Sequence, residues 1–202
     1  MRTHQPTEGI TLIECIVAVA ILAIAIAGPM TLASQSLRAS RDARNELVAT
    51  HLAEEGVEVV HSVRDNNSAD DITAGQTLWA TDIVGNCYKK DGCIIDVTAH
   101  AANVWDNNNT LLQCPSAGDC SSVNQIYYNP QTGLYRQSLT ALGAPWTTTS
   151  FTRSILVVPI DDPIKPKRQI RIISTVTYLS FSGKTRTIAV TDDLYNWFPP
   201  LH

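Results

Sequence analysis

The sequence predicts an α+β protein: one long N-terminal helix, apolar in its first half and amphipathic in its second, packed on a C-terminal antiparallel sheet. Three patterns predict it. Residues 10–30 form an apolar run broken by a single acid, Glu14. Beyond it, Leu37, Val48, Leu52, Val59 and Val63 recur mostly at three- and four-residue steps or their multiples, with charges on the other faces. The last quarter, FTRSILVVPI, RQIRIISTVTYLSF and KTRTIAVTDDLYNW, is rich in β-branched and aromatic residues. With 202 residues, the chain has room for one membrane helix and one domain of about 140 residues.

The first element is a short polar leader, residues 1–9, ending in Gly9. Residues 10–30 then suffice to cross a hydrocarbon layer, which takes about 20 apolar residues. An acid inside such a span costs a few kcal/mol or more and marks a function by default. Two other readings compete: a secretory signal cut near Ala25, Ala27 or Gly28, and a plain anchor. A plain anchor has little use for Glu14. Basic residues after the span (Arg38, Arg41, Arg44) outnumber those before it, which by charge alone keeps the bulk of the chain inside the cell. The cysteines argue for export.

One helix is expected from about Thr11 to Val63, on the order of 80 Å long. Pro29 should bend it, softened by Gly28, and RDNNSADD should end it with Asn66 and Asn67 as cap and turn residues. The amphipathic part is set at 31–65. Residues 66–150 read as a loop-rich region with short strands at CIIDVTA, QIYYN and GLYRQS. Cys87, Cys93, Cys114 and Cys120 form two C-x5-C pairs there, whereas Cys15 lies in the apolar run. Four cysteines allow three connectivities; Cys87–Cys93 with Cys114–Cys120 is favoured because each loop is short and polar. A zinc site of four thiolates is the rival, but structural zinc wants two to four residues between ligands. The antiparallel sheet is placed at 151–197. Ile170, Ile172, Val176 and Tyr178 share one strand face, Ile188 and Val190 continue the alternation, and Ser182-Gly183 joins the two strands.

Within this frame, Gly9-Ile10-Thr11-Leu12-Ile13-Glu14 resembles the class III signal of type IV prepilins. The resemblance implies that a prepilin peptidase cuts after Gly9 and methylates the new amino terminus at Ile10, where the family usually has Phe. Glu14 then stands at the fifth mature position, and Pro29 resembles the family's kinking proline about two residues early. HLAEEGVEVVHSVRDNN resembles the helix end of PilV-group minor pilins and I-type pseudopilins. FTRSI, SGKTRTIAV and LYNW resemble closing strands of prepilin-like proteins. The resemblance implies the pilin fold and a minor pilin of a surface filament, or alternatively a pseudopilin of a type II-like secretion system. The implied partners are other pilin subunits, the prepilin peptidase, an inner-membrane assembly platform and the membrane before assembly. The implied location is the cytoplasmic membrane as a single-pass precursor, then the cell surface.

The chemistry of that pattern follows from the residues. Cutting after Gly9 creates an ammonium at Ile10 beside the hydrocarbon, and Glu14 lies one helical turn on. In an assembled bundle the carboxylate can meet a neighbour's amino terminus, a pair whose loss typically costs about 3–5 kcal/mol.

No catalytic motif is found: HExxH, GxSxG, P-loop and GxGxxG are all missing, and His51 and His61 lie about 280° apart around the helix. An enzyme is not expected, nor a cofactor or metal. One basic cluster, Lys165, Lys167, Arg168 and Arg171, could touch nucleic-acid phosphates, which leaves a DNA-binding tip pilin for DNA uptake as a further alternative. The competing reading is an edge strand guarded by lysine and proline. A net charge of −4 nominates no polyanion as partner.

Overall fold

The computed structural model describes residues 9, 11–74, 79–88, 90, 92–97, 110–115, 119–160 and 168–196. The element order is α1 (Leu12–Ala74), α2 (Thr81–Cys87), β1 (Cys93–Ile95), β2 (Leu111–Gln113), β3 (Gln125–Tyr128), β4 (Tyr135–Arg136), β5 (Thr147–Pro159), β6 (Gln169–Leu179) and β7 (Thr185–Tyr195). The fold is α+β, as expected. The chain divides into two compact units, Met1–Ala43 and Arg44–His202.

In the first unit, residues 12–43 are helical and the apolar run is exposed on every side. Leu12, Ile16, Ile21, Leu22, Ile24 and Met30 all face outward. A helix apolar all round needs an apolar surrounding that this unit does not supply by itself. Pro29 lies inside the helix, which continues through it. Just beyond, the Thr31 hydroxyl donates to the Gly28 carbonyl at 2.7 Å and the Ser34 hydroxyl to the Met30 carbonyl at 2.9 Å.

In the second unit the helix buries a stripe at 3.5-residue spacing: Ala49, Leu52, Ala53, Gly56, Val57, Val60, Val63, Arg64, Asn67 and Ser68. It packs on one face of the sheet. Ala49, Leu52 and Ala53 meet Ile126, Phe151, Val176 and Tyr178. Val57, Val60 and Val63 join Ile155, Val157, Ile170, Ile172 and Leu194, closed by Trp79, Ile83 and Leu111. The alternation expected for Ile170, Ile172, Val176 and Tyr178 is observed, all four being buried.

The helix outruns its expected end by 11 residues, from Val63 to Ala74. RDNNSADD does not stop it, because its polar residues carry the buried stripe onward. The Asn67 amide is buried and donates to the Trp79 carbonyl at 3.2 Å. It therefore fastens the helix to the following segment instead of capping it.

Among the described residues the sheet has seven strands, all pairs antiparallel. β5 is its axis, pairing β6 on one side and β1 and β3 on the other. β2 and β4 extend it past β1 and β3, and β7 pairs β6. The three strands expected in the loop-rich region appear as β1, β3 and β4, while α2 and β2 were too short for their patterns to be read. β5 begins at Thr147, four residues before the expected 151. The β6–β7 loop closes with the Gly183 amide donating to the Ser180 carbonyl at 2.9 Å. Gly183 has φ 76°, the left-handed conformation that a three-residue hairpin loop demands.

Two disulfides, Cys87–Cys93 and Cys114–Cys120, join the neighbours along the chain. The four thiols are thus consumed in pairs, which removes the zinc alternative. Cys87–Cys93 ties α2 to β1 within the main core, and Cys114–Cys120 packs with Ile94 and Val123. Closing a loop this short restricts the unfolded chain by about 2 kcal/mol. Replacing Cys114 and Cys120 together by Ser should lower unfolding stability by that amount or somewhat more. Chemical denaturation with and without reductant measures it, and the double variant should lose about half of its response to reductant, the rest belonging to Cys87–Cys93.

Candidate functional site

The start of the apolar helix is built by Thr11 and Glu14. The Glu14 amide donates to the Thr11 hydroxyl at 3.4 Å and to the Thr11 carbonyl at 3.1 Å. Thr11 is thus the N-cap, and Glu14 lies three residues on, where a carboxylate favours the positive end of the helix dipole. This local role leaves the Glu14 side chain exposed in the single chain. Gly9 is exposed as well. Ile10 and the leader 1–8 lie outside the described residues.

The helix that Glu14 opens is long and apolar enough to cross a membrane, with none of its most apolar window buried. One acid near the start of an otherwise apolar span cannot find a partner along its own helix, since the next ionisable side chain after Cys15 is Arg38. A charge partner has to come from another chain, from the residues before the span or from the amino terminus.

The basic cluster is only partly in view. Lys165 and Lys167 lie outside the described residues. Arg171 makes a two-pronged pair with Asp193 on β7, at 2.8 and 2.9 Å. That hydrogen bond holds the Asp193 carboxyl below the usual range and raises the Arg171 guanidinium. The Arg168 carbonyl accepts from the Asn196 amide at 3.0 Å. β6 lies between β5 and β7, so Arg171 sits on an interior strand and the guarded-edge reading is overturned. The edge is β7, which the amino-acid pattern could not reveal because strand order is set by tertiary pairing. His61, on the helix, reaches the same strand, its Nε2 2.7 Å from Asp192 Oδ2.

A buried polar network went unread in the sequence. Arg153 on β5 has a fully buried side chain aimed at the helix. Its guanidinium donates to the Leu52 carbonyl at 2.8 Å, to Glu55 Oε2 at 2.6 Å and to Gln137 Oε1 at 2.9 Å. Gln137 in turn donates to the carbonyls of Asn124 and Arg153 at 2.9 and 2.8 Å. Burial pushes the Arg153 pKa down, and the Glu55 carboxylate opposes that shift. A second, partly exposed pair joins Arg136 to the buried Asp96 at 2.8 Å, with Arg136 also stacked over Trp146. Arg153 sits in FTRSI, where an inward-facing position would ordinarily be apolar; that lapse in alternation was the available signal.

Among the described residues no group of His, Cys, Asp or Glu is placed to hold a metal ion. Comparison with known protein families, with characterised proteins and with solved structures finds no match to this chain.

Proposed function

We propose that this chain is a minor pilin-like structural subunit, cut after Gly9 and assembled through its apolar N-terminal helix into a type IV pilus-type filament. The observation that carries the reading is the first unit itself. Its helix is apolar on all faces, opens with one exposed carboxylate and follows directly on Gly9 and Thr11. The membrane covers such a helix before assembly, and neighbouring subunits cover it afterwards. Glu14 then gains in the filament the charge partner that its own span lacks. The disulfides of the second unit suit an exported domain. The prepilin peptidase and an inner-membrane assembly platform are the partners this route requires. The reading calls on no nucleic-acid contact, and Arg171 of the basic cluster already holds Asp193.

Two measurements test the reading. Mass spectrometry of protein made in a host with a prepilin peptidase should show a chain beginning at Ile10. An intact Met1, or a terminus near Ala27, ends the proposal. Glu14→Ala should insert into the membrane as the parent does but fall by on the order of 100-fold in sheared filaments, the loss expected for one buried ion pair. Glu14→Ala incorporated at the parental level would rule out charge pairing as the assembly device.

A further inference from the structure

We propose that β7 is an interface: it pairs antiparallel, edge to edge, with β7 of a second copy about a two-fold axis at Ala189. The inference stands on the second unit and does not depend on the filament reading.

β7 is the longest free edge among the described residues, 11 residues paired to β6 alone. In an antiparallel ladder, residues alternately point their backbone groups toward and away from the neighbouring strand. The bonds at the two ends fix which do so here. Ser180 donates to the Lys184 carbonyl, and Asn196 donates to the Arg168 carbonyl. Even-numbered residues of β7 therefore bond β6. Thr185, Thr187, Ala189, Thr191 and Asp193 turn their amides and carbonyls outward. Among the described residues these groups have no backbone partner, and the Asp193 amide takes the Asp192 carboxylate instead, at 2.8 Å.

Exposed edges are commonly guarded by lysine, proline, a bulge or an inward charge. The middle of β7, Thr187-Ile188-Ala189-Val190-Thr191, has none of these, and its register with β6 runs without a shift. Its charges sit at the two ends, Arg186 on one side and Asp192 and Asp193 on the other. That order is self-complementary when the strand meets itself reversed. With Ala189 opposite Ala189, Thr187 faces Thr191, Ile188 faces Val190 and Arg186 faces Asp192, each pair occurring twice; Arg186 trades its long contact with Glu46, 3.8 Å, for Asp192, which also keeps His61. Thr–Thr, β-branched apolar and opposite-charge pairs are the favourable cross-strand kinds. The outward backbone groups of Ala189, Thr187 and Thr191 then bond one another directly. Ile188 and Val190, half-buried against the helix in one copy, gain cover from the other.

Neighbouring registers fail. Only shifts of two residues keep each face in place. Centring on Ile188 sets Arg186 against Val190, and centring on Val190 sets Ile188 against Asp192. Both put a charge on an apolar residue. A two-fold, self-matching contact is the isologous kind that closes as a dimer.

Cysteine cross-linking of the full-length chain in detergent micelles tests this, in a Cys15→Ser background so that no other free thiol is present. Opposed residues of a hydrogen-bonded pair have Cα atoms about 5.5 Å apart, within disulfide reach. Ala189→Cys should give a covalent dimer with a mild oxidant. Thr187→Cys and Thr191→Cys should not cross-link alone, because their copies lie about 15 Å apart across the axis, but should do so when mixed. Arg186→Asp should cut the Ala189→Cys dimer at least tenfold, and adding Asp192→Arg should restore it. Monomeric Ala189→Cys, equal dimer yield at all three single sites, or an adduct with a different protein only would each overturn the proposal.

Discussion

Glu55→Ala is expected to destabilise the second unit by about 3 kcal/mol, whereas Arg153→Met should cost only about 1 kcal/mol. The inequality follows from where each charge ends up. The Arg153 side chain is 0 % exposed and that of Glu55 is 38 % exposed. Removing the carboxylate strands a cation in the core, with only the Leu52 carbonyl and Gln137 Oε1 among the described residues to receive it. Removing the arginine leaves a carboxylate that can turn to water. Gln137 Oε1 keeps a long contact from the Ile95 amide, 3.4 Å, and methionine fills much of the same space. The cost of Glu55→Ala belongs at the lower end of the range for broken buried pairs, because water reaches the pair from the glutamate side. Glu55→Ala combined with Arg153→Met should cost about as little as Arg153→Met alone, giving a coupling of about 3 kcal/mol. Urea unfolding in micelles, followed by fluorescence of the buried Trp79, measures all three variants. If Arg153→Met proves the costlier change, the arginine holds the helix by its hydrogen bonds, and confinement of its charge is not the dominant effect.

The same network shows where the sequence was legible and where it was not. The core positions that large apolar residues occupy could be read from period alone: Leu52 and Val63 on the helix, Ile170, Ile172, Val176 and Tyr178 on β6. Val48 and Val59 flank the buried stripe, and Leu37 is exposed in the first unit. The stripe itself runs through Ala49, Ala53 and Gly56, which carry little hydrophobic signal because their value lies in being small. Asn67 and Ser68 extend it with polar side chains, so the expected stop at RDNNSADD mistook a buried face for a turn. Arg153, Ser174 and Asp192 occupy helix-facing strand positions for the same kind of reason. Each answers a residue far away in the chain: Glu55, Gly56 and His61. At the candidate site the acid in the apolar run was plain, since charge there is an exception to everything around it. Its second role, at the helix start, went unread, although threonine followed three residues later by glutamate, ahead of an apolar run, is a helix-start signature.

Gly56→Ala should destabilise the second unit, although alanine is the better helix former by about 1 kcal/mol. Gly56 faces Ser174 of β6 and Ile155 of β5 across the helix–sheet contact. A Cβ there would overlap the Ser174 hydroxyl and lie 3.1 Å from Ile155 Cδ1 and 3.3 Å from Ser174 Cβ. Ile155 can swing its terminal methyl aside, but Ser174 is buried on an interior strand paired on both sides and cannot retreat. Overpacking of this kind costs about 1–3 kcal/mol, which outweighs the gain in propensity. Gly56→Leu should exceed that range, because a whole side chain would have to part helix from sheet. The geometry also specifies its own remedy. The Ser174 hydroxyl is buried without a hydrogen-bond partner among the described residues, so Ser174→Ala by itself should be neutral or slightly stabilising. In the Gly56→Ala/Ser174→Ala double variant the worst overlap is gone, and a shift of a few tenths of an ångström clears the remaining Cβ contact. The helix-propensity gain can then emerge, and the double variant should match or exceed the parent in urea midpoint. A double variant no more stable than Gly56→Ala alone would mean that the close approach is set by the backbones and not by the serine.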